Sequence, residues 1–244
     1  MTLKQMWLVT GASRGIGLAI VQQLVQLGHH VIATARDSDD LSRLTTTKDI
    51  QVIACDLAVK EDIQRLCTMI HEFNRPLSGI VFNAGQIHPI LPIHDLEIDA
   101  FEHNLRVNLT SVQEITRGVW SSLVEAKRAR ITTISSGASQ RAIGSWSAYC
   151  VAKAGLDMWT KTLSHEGQSR GISAISIAPG IVDTNMQKEI RETPSHLFPL
   201  QSTFQGYFDD GELANPDDVA AKLIPKITSH HMDESGSRFD VRDF

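Results

Sequence analysis

The sequence predicts an α/β fold, a single-domain doubly wound parallel sheet with helices on both faces. Short runs rich in Val and Ile alternate with amphipathic stretches, which is the order of parallel strands joined by crossover helices. The runs are apolar almost throughout, as in strands that are covered on both faces. No repeat, low-complexity tract or Pro/Ser-rich linker interrupts the 244 residues, so we expect one domain over residues 1–244.

Six runs are the strand candidates. They occupy residues 7–9, 31–33, 52–54, 80–82, 131–134 and 174–177. Ligands of an open α/β sheet bind outside the carboxyl ends of its strands. The residues that directly follow each run are therefore the first candidates for a functional site.

Composition argues against several classes of partner. The net charge is −5, with 28 acidic and 23 basic side chains, which disfavours nucleic acid or an anionic membrane as the partner. Cys55, Cys67 and Cys150 lack metal-site spacing and no histidine pair has HExxH-like spacing, so we expect no metal. The N-terminal residues show no signal-peptide pattern and the chain has no bilayer-length apolar stretch, so we expect a cytoplasmic protein.

A glycine-rich turn follows the first strand and opens a helix with apolar residues at helical spacing. This is the context of a dinucleotide-binding turn. Glycine lets the backbone approach a pyrophosphate, and the helix N-terminus offers free N–H groups and the positive end of its dipole. The residues expected to bind the cofactor here are Gly11, Ser13, Arg14, Gly15, Ile16 and Gly17.

The end of the second strand should distinguish NADP from NAD. Arg36 stands there and Arg14 projects from the glycine-rich turn, so that two guanidinium groups are placed to bind a 2′-phosphate, which favours NADPH. A carboxylate at this place would bind the free ribose 2′-OH of NADH, and Asp37 would do so if the register differed by one residue. The alternative is that Arg14 and Arg36 are solvated surface residues with no role in cofactor binding.

Polar or small residues also follow the third and fourth strands. Asp56 and Leu57 are expected to contact the adenine, unless Asp56 caps the next helix. Asn83, Ala84 and Gly85 follow the fourth strand, where small residues let the backbone pass close to a cofactor. The same three residues also suit an ordinary turn.

Tyr149 and Lys153 form the centre of a candidate catalytic group. They lie four residues apart and share one face of a helix, where an ammonium group would lower the cost of a phenolate. A phenol, with a reference pKa of about 10, is a slow proton relay near neutral pH without a nearby cation. Ser135 and Ser136 both follow the fifth strand, and either hydroxyl is a candidate to assist Tyr149.

Together these motifs resemble the short-chain dehydrogenase/reductase family over nearly the whole chain. The resemblance rests on segments in the family's order and spacing, namely Thr10-Gly11-x-x-x-Gly15-Ile16-Gly17, Asn83-Ala84-Gly85, Asn108, Ser136, Tyr149-x-x-x-Lys153 and Pro179-Gly180-Ile181-Val182-x-Thr184. It implies a Rossmann-type fold, a nicotinamide cofactor and hydride transfer at a carbonyl carbon. The thirteen-residue spacing to Tyr149 favours Ser136 over Ser135.

The resemblance implies a role for each matching residue. Tyr149 resembles the general acid that protonates a carbonyl oxygen, and Ser136 resembles the hydroxyl that holds this oxygen. Lys153 resembles the residue that binds the nicotinamide ribose, and Tyr149 is expected to contact the cofactor as well. Asn108 resembles the residue whose helix distortion holds a water for proton resupply. The segment expected to bind the carboxamide end is Pro179, Gly180, Ile181 and Thr184.

A narrower similarity is to sepiapterin reductases and the related microbial benzil or diketone reductases, through residues 135–138, 146–150, 179–187 and 191–193. It departs from that subgroup at Ser145, where glycine usually stands directly before the tryptophan. The similarity makes Asp240 the candidate to bind the edge of a pterin, with Asp243 as the alternative. Trp146 and Met186 are expected to line an apolar pocket or to fill the core.

The predicted function is an NADPH-dependent carbonyl reductase acting on an α-diketone such as benzil or on a sepiapterin-like pterin ketone. An NAD-linked alcohol dehydrogenase and a non-catalytic, cofactor-sensing regulatory protein are the alternatives, and the intact catalytic residues argue against the second. Residues 185–215 are expected to form a mobile flap over the site. The resemblance also implies a homodimer or homotetramer packed through helices around 107–124 and 148–163.

Overall fold

The computed structural model describes residues 4–36, 41, 44 and 48–244. Seven strands within these residues form one parallel sheet in the spatial order β3-β2-β1-β4-β5-β6-β7. The strands are β1 (Met6–Thr10), β2 (His30–Ala35), β3 (Ile50–Ala54), β4 (Gly79–Phe82), β5 (Ala129–Ile134), β6 (Ile172–Ala178) and β7 (Arg238–Asp240). Each of the six strand candidates lies within one of β1 to β6, and the predicted fold class is confirmed.

Helices of the described residues connect β1 to β2 and each later pair of consecutive strands from β3 to β7. They are α1 (Gly15–Gln26), α2 (Lys60–Glu72), α3 (Ile98–Leu105), a π-helix (Arg106–Thr110), α4 (Ser111–Gly118), α5 (Trp120–Glu125), α6 (Ser147–Gly167), α7 (Asn185–Glu192), α8 (Gln201–Asp209) and α9 (Pro216–Ser229). Across the described residues, none of them combines the length and apolar character needed to cross a bilayer.

The sheet is buried between two helical layers, as its apolar strands predict. Successive residues of β1 point to opposite faces: Leu8 packs in a cluster with Leu66 of α2, and Trp7 packs in a cluster with Ile20 of α1 and Leu223 of α9. The chain winds outward from β1 in both directions, because β2 and β4 are its two neighbours. A crevice therefore opens at the carboxyl ends of β1 and β4, where such folds bind ligands.

Residues 185–215 contain two helices, α7 and α8. A parallel β-bridge between Val182 and Ala214 holds the C-terminal end of this segment. The Asn215 side chain accepts a hydrogen bond from the Asp217 amide at 2.8 Å, and α9 begins at Pro216, as the Asn-Pro pair indicates. The segment stands beside the crevice, where a flap was predicted. Its mobility stays a prediction.

Candidate active site

One cleft of about 1510 Å³ runs along the carboxyl ends of the strands, from the glycine-rich turn to α7 and α8. Most predicted site residues line it: Gly11, Ser13, Arg14, Gly15, Ile16, Arg36, Asp56, Leu57, Asn83, Ala84, Gly85, Ser136, Trp146, Tyr149, Lys153, Pro179, Gly180, Ile181, Thr184, Met186 and Asp240. Gly17 and Asn108 lie behind its wall. The fold thus brings the predicted cofactor and catalytic residues into one space.

The glycine-rich turn is built so tightly that side chains are excluded. Gly11 has a φ of 64° and Gly15 a φ of 55°, in the region that favours glycine. A Cβ atom on Gly11 would lie 2.8 Å from the Ala84 Cα atom, and one on Gly17 would lie 2.2 Å from the Gly11 carbonyl oxygen. The first turn of α1 carries no acidic side chain, so its N–H groups and dipole face the cleft without a competing negative charge.

Asn83 holds this turn from the neighbouring strand. Its side-chain amide donates to the carbonyl oxygens of Thr10 at 3.0 Å and Gly11 at 3.1 Å. In return, the Thr10 hydroxyl accepts hydrogen bonds from the backbone amides of Asn83 and Ala84, both at 3.1 Å. The Asn83 side chain thus fixes the turn, and the small residues after it leave the cleft open.

Arg14 and Arg36 are both exposed and both line the same end of the cleft. Asp37, the competing candidate, lies outside the described residues. Asp56 lines the cleft as well, and its carboxylate accepts a hydrogen bond from the Ala58 amide at 2.9 Å. The alternative that Asp56 caps the next helix is wrong, because α2 begins at Lys60 and Val59 is its N-terminal flanking residue.

This end of the cleft fits a dinucleotide. The backbone of the turn has room only for glycine at Gly11 and Gly17, free helix N–H groups face the space, and two arginines stand at the end of β2 and beside the turn. Such a surface offers hydrogen-bond donors and positive charge to phosphate groups.

Ser136 and Tyr149 meet in the middle of the cleft. Ser136 follows β5, and its hydroxyl accepts a hydrogen bond from the Ala138 amide at 3.1 Å and lies close enough to the Tyr149 hydroxyl to lower its pKa. Ser135 is buried, and its hydroxyl contacts the Ser139 hydroxyl at 3.3 Å. Of the two candidates, Ser136 is the one whose side chain meets Tyr149.

Tyr149 and Lys153 lie on one face of α6 and both are buried, and the Lys153 ammonium is hydrogen-bonded to the backbone. The Lys153 Nζ atom lies 5.7 Å from the centre of the Tyr149 ring and donates to the Ile134 carbonyl oxygen at 2.8 Å. Burial raises the pKa of Tyr149 to about 12, and the nearby Ser136 hydroxyl opposes that rise. Lys153 is not among the groups that shift this pKa in the chain alone, so the phenol is protonated at neutral pH, and its predicted stabilisation as a phenolate by Lys153 together with an oxidised nicotinamide stays a prediction.

The Lys153 ammonium loses its proton not far above neutral pH. Burial lowers its pKa to about 8, and the negative charge of Asp157, one helical turn further along α6, opposes this change. Below about pH 8 its ammonium group places a positive charge against the cleft wall. A Cβ atom on Gly85 would lie 3.5 Å from the Lys153 Nζ atom, so that Gly85 keeps this wall close to the ammonium.

Asn108 lies in the π-helix that separates α3 from α4, which is the kind of helix distortion the family resemblance implies. Its side chain pairs with the backbone of Gln86, accepting from the amide at 3.0 Å and donating to the carbonyl oxygen at 2.9 Å. It also donates to the Asn104 side chain at 2.7 Å. Asn108 therefore fixes the loop after β4 behind Lys153, and a water at this place stays a prediction.

Aromatic and thioether side chains form the wall beyond Tyr149. Trp146 is buried and stacks on Phe198, with ring centres 5.2 Å apart. Phe204 contacts the same tryptophan, and the Met186 sulfur lies 3.9 Å from the Tyr149 hydroxyl. Trp146 and Met186 thus line the cleft and belong to a hydrophobic cluster at the same time.

Asp240 lines the cleft and Asp243 does not. However, the Asp240 carboxylate is already bound on both oxygens by Arg242, whose Nε and Nη2 atoms donate at 2.7 Å each. These hydrogen bonds hold the pKa of Asp240 below its usual value, so it is ionised. A ligand that binds this carboxylate must compete for it with the guanidinium group of Arg242, two residues further along the chain.

Sequence reasoning missed Arg238 and Arg242, which also line the cleft. Both lie in or beside β7, a strand of three residues that is too short to show a pattern. The basic residues around Asp240 were the available signal, since a carboxylate flanked by arginines two residues away on either side is readily paired.

The family model described as short chain dehydrogenase matches residues 5–195 of the chain. A benzil reductase of Bacillus subtilis that forms (S)-benzoin is 29% identical over 98% of this chain and 99% of that protein. An (S)-benzoin-forming benzil reductase of Bacillus cereus is 31% identical over 88% of this chain and 91% of that protein. The first of these alignments covers nearly the whole chain, and so includes both ends of the cleft.

A solved structure shares the fold. The crystal structure of a short chain dehydrogenase/reductase from Saccharomyces cerevisiae superposes with a TM-score of 0.91 at 26% identity, over 98% of this chain and 96% of that chain. The agreement therefore extends over the sheet, its helical layers and the segment that carries α7 and α8.

Proposed function

The chain belongs to the short-chain dehydrogenase family, and on that premise we propose that it is an NADPH-dependent carbonyl reductase for aromatic α-diketones. The observation that carries the proposal is the meeting of Ser136, Tyr149 and Lys153 in the cleft that also holds the glycine-rich turn. A proton donor and a dinucleotide cradle in one space are what the reduction of a ketone requires.

The proposed chemistry adds a hydride and a proton across a carbonyl bond. A nicotinamide dinucleotide bound in the cleft would supply the hydride to the carbonyl carbon. Tyr149 gives its phenolic proton to the carbonyl oxygen, and the Ser136 hydroxyl donates a hydrogen bond to that same oxygen as negative charge develops on it. The ketone becomes a secondary alcohol, and Tyr149 must then recover a proton.

Lys153 supports this step by its charge. The phenol has a pKa of about 12 in the chain alone, so loss of its proton is costly without a positive charge nearby. The Lys153 ammonium is the cation on the same helix face, and it is 5.7 Å from the ring centre. It would hold the ribose hydroxyls next to the reacting carbonyl and stabilise the transient phenolate.

The preference for NADPH rests on Arg14 and Arg36. Both are exposed at the end of the cleft where the adenosine ribose of a dinucleotide would lie, next to Asp56 and Leu57. A 2′-phosphate would receive charge-assisted hydrogen bonds from guanidinium groups, whereas a free 2′-OH would gain little from them.

The substrate wall favours an aromatic diketone over a pterin. Trp146, Phe204, Tyr207 and Met186 give the substrate end apolar faces that suit phenyl rings. The Asp240 carboxylate that a pterin would need is bound by Arg242. The (S)-benzoin-forming benzil reductases among the relatives support the same class of substrate.

The proposal is tested by following the oxidation of NADPH and NADH by purified protein with benzil, diacetyl, isatin and sepiapterin. We expect consumption of NADPH with benzil, a slower reaction with sepiapterin, and a lower kcat/KM with NADH. Tight binding of NADPH without turnover over a wider set of carbonyl compounds would contradict the proposal and favour a cofactor-sensing protein. A clear preference for NADH would contradict the role of the two arginines.

We also propose that the chain assembles into a dimer or tetramer through α4 and α6. On α6, Val151 and Met158 leave 50% and 61% of their surface exposed, as expected for a helix that packs against another copy. Light scattering of the purified protein should give a mass of two or four chains, and a monomer at micromolar concentration would contradict this assembly.

A further inference from the structure

A single guanidinium group joins three distant segments next to the candidate catalytic residues. Arg238 lies in β7 at the edge of the sheet, and its Nε atom is 3.1 Å from the Oδ2 atom of Asp157 on α6. Its Nη2 atom donates to the Ser136 carbonyl oxygen at 3.2 Å, a contact that spans 102 residues of sequence. The C-terminal strand is thereby tied to the turn that carries the Ser136 hydroxyl.

Asp157 is the centre of this arrangement. Its side chain is only 6% exposed, and a buried carboxylate is stable only with cationic or hydrogen-bonding partners. Among the described residues its ion pair is with Arg238, and Gln140 donates to the same Oδ2 atom at 3.3 Å. Gln140 ends the short helical turn that Ser136 begins. One ion pair therefore holds this turn at both ends, at Ser136 and at Gln140.

Asp157 also belongs to the face of α6 that enters the cleft. Tyr149, Lys153 and Asp157 follow one another at intervals of four residues, and all three are buried. The negative charge of Asp157 raises the pKa of Lys153, against the larger lowering caused by burial. The same carboxylate thus acts on the Ser136 turn through Arg238 and on Lys153 through its charge.

We propose that Arg238 and Asp157 are positioning residues that fix the Ser136 hydroxyl and the charged Lys153 side chain relative to Tyr149. Their effect on turnover rests on the proposed reductase function. Their effect on the Ser136 turn and on Lys153 does not, because these groups are present in the free protein.

The test compares Asp157→Asn and Arg238→Lys with a matched control, Arg65→Lys. Arg65 likewise joins a carboxylate and a backbone carbonyl group, at the opposite edge of the sheet: its Nη1 atom pairs with Asp62 at 2.7 Å and its Nη2 atom donates to the Ala54 carbonyl oxygen at 2.9 Å. Arg238→Lys keeps the charge next to Asp157 but cannot donate in two directions with the same fixed geometry. Asp157→Asn removes the carboxylate charge and keeps the shape.

Two measurements are made on the free protein. The first is amide hydrogen exchange at Ser139, whose N–H also donates to the Ser136 carbonyl oxygen. The second is an NMR titration of protein labelled at the lysine ε-carbons, with the Lys153 signal assigned by its loss in Lys153→Met. We expect Arg238→Lys to speed exchange at Ser139 about tenfold, and Asp157→Asn to make the Lys153 ammonium about tenfold more acidic. The control should match the wild type in both.

The third measurement is steady-state turnover with NADPH and benzil. We expect Arg238→Lys to lower kcat about tenfold and to leave the KM for NADPH within about twofold, because the Ser136 hydroxyl acts on the reacting carbonyl. The proposal is overturned if both variants keep wild-type exchange and titration. It is also overturned if the Arg65→Lys control changes as much as they do, which would indicate a general loss of stability. Hydrogen exchange and the lysine titration need no substrate, so they test the positioning role of Asp157 and Arg238 even if the wild type shows no turnover.

Discussion

The Gly17 α-carbon stands so close to the Gly11 carbonyl oxygen that a methyl group on Gly17 would lie 2.2 Å from it. The same methyl group would lie 2.4 Å from the Nδ2 atom of Asn83, which donates to that oxygen. The start of α1 thus packs closely against the turn and against the Asn83 side chain that follows β4. The spacing of the glycines is a packing requirement as well as a way to leave room for phosphate.

Gly17→Ala should therefore weaken both the fold and cofactor binding. We expect a loss of about 1–3 kcal/mol in the free energy of unfolding, because overpacking forces the backbone to shift. We also expect the Kd for NADPH to rise at least about tenfold, since the shifted atoms form the cradle. Denaturant unfolding and a fluorescence titration with NADPH measure the two effects.

The matched control is Gly206→Ala, because a Cβ atom on this helical glycine of α8 would meet nothing within 4 Å. This change should leave the free energy of unfolding unchanged or raise it by up to about 1 kcal/mol, through better helix propensity. If Gly17→Ala behaves like this control, the close approach to Gly11 has no energetic consequence and our account of the turn is wrong.

Arg36→Ala should change cofactor preference rather than cofactor binding in general. Loss of a charge-assisted hydrogen bond to a phosphate should raise the KM for NADPH about tenfold or more, and the KM for NADH should change by less than about twofold. Steady-state kinetics with both cofactors and one ketone give the ratio. Arg75→Ala, which removes an exposed arginine whose guanidinium donates to the Lys4 carbonyl oxygen, is the control and should alter neither value. Equal losses with NADPH and NADH would show that Arg36 does not bind the 2′-phosphate.

The pH dependence of reduction should follow Lys153. Burial lowers its pKa to about 8, so its charge is present below that pH and is lost as the pH rises through it. Tyr149, with a pKa of about 12, keeps its proton over the same range. We therefore expect kcat/KM for NADPH, which reports ionisations of the free enzyme, to fall about tenfold for each pH unit above about 8.

Lys153→Arg tests that assignment, because a guanidinium group stays charged to far higher pH. The variant should be slower than the wild type, since its geometry differs, but its alkaline decline should move above about pH 10. An unchanged decline near pH 8 in this variant would assign the ionisation to another group.

The sheet and the cofactor turn could be predicted from sequence because their signals are local. An apolar strand, three glycines and the start of a helix occur within residues 7–17, and the contact between Gly11 and Gly17 spans six residues. Likewise, Tyr149 and Lys153 share a face of α6 because helical geometry alone places residues four apart together.

The errors and omissions depend on contacts that sequence spacing does not contain. The pKa of Tyr149 in the chain alone depends on contacts that helical spacing does not give, because burial raises it and the Lys153 ammonium donates to the Ile134 carbonyl oxygen. Arg238 was missed because its contact with Ser136 spans 102 residues and arises only when β7 joins the sheet. The pairing of Asp240 with Arg242 is local, and the arginines two residues away on either side of the carboxylate are the sequence signal for it.

The most direct test of the proposed reductase is the comparison of Tyr149→Phe with the wild type, measuring benzil-dependent oxidation of NADPH and the Kd for NADPH in the same preparation. The substitution removes the hydroxyl that would protonate the carbonyl oxygen and keeps the ring that packs against Trp146. We predict that kcat falls by at least about a thousandfold while the Kd for NADPH stays within about twofold. Turnover within about tenfold of the wild type would contradict the assignment of Tyr149 as the proton donor.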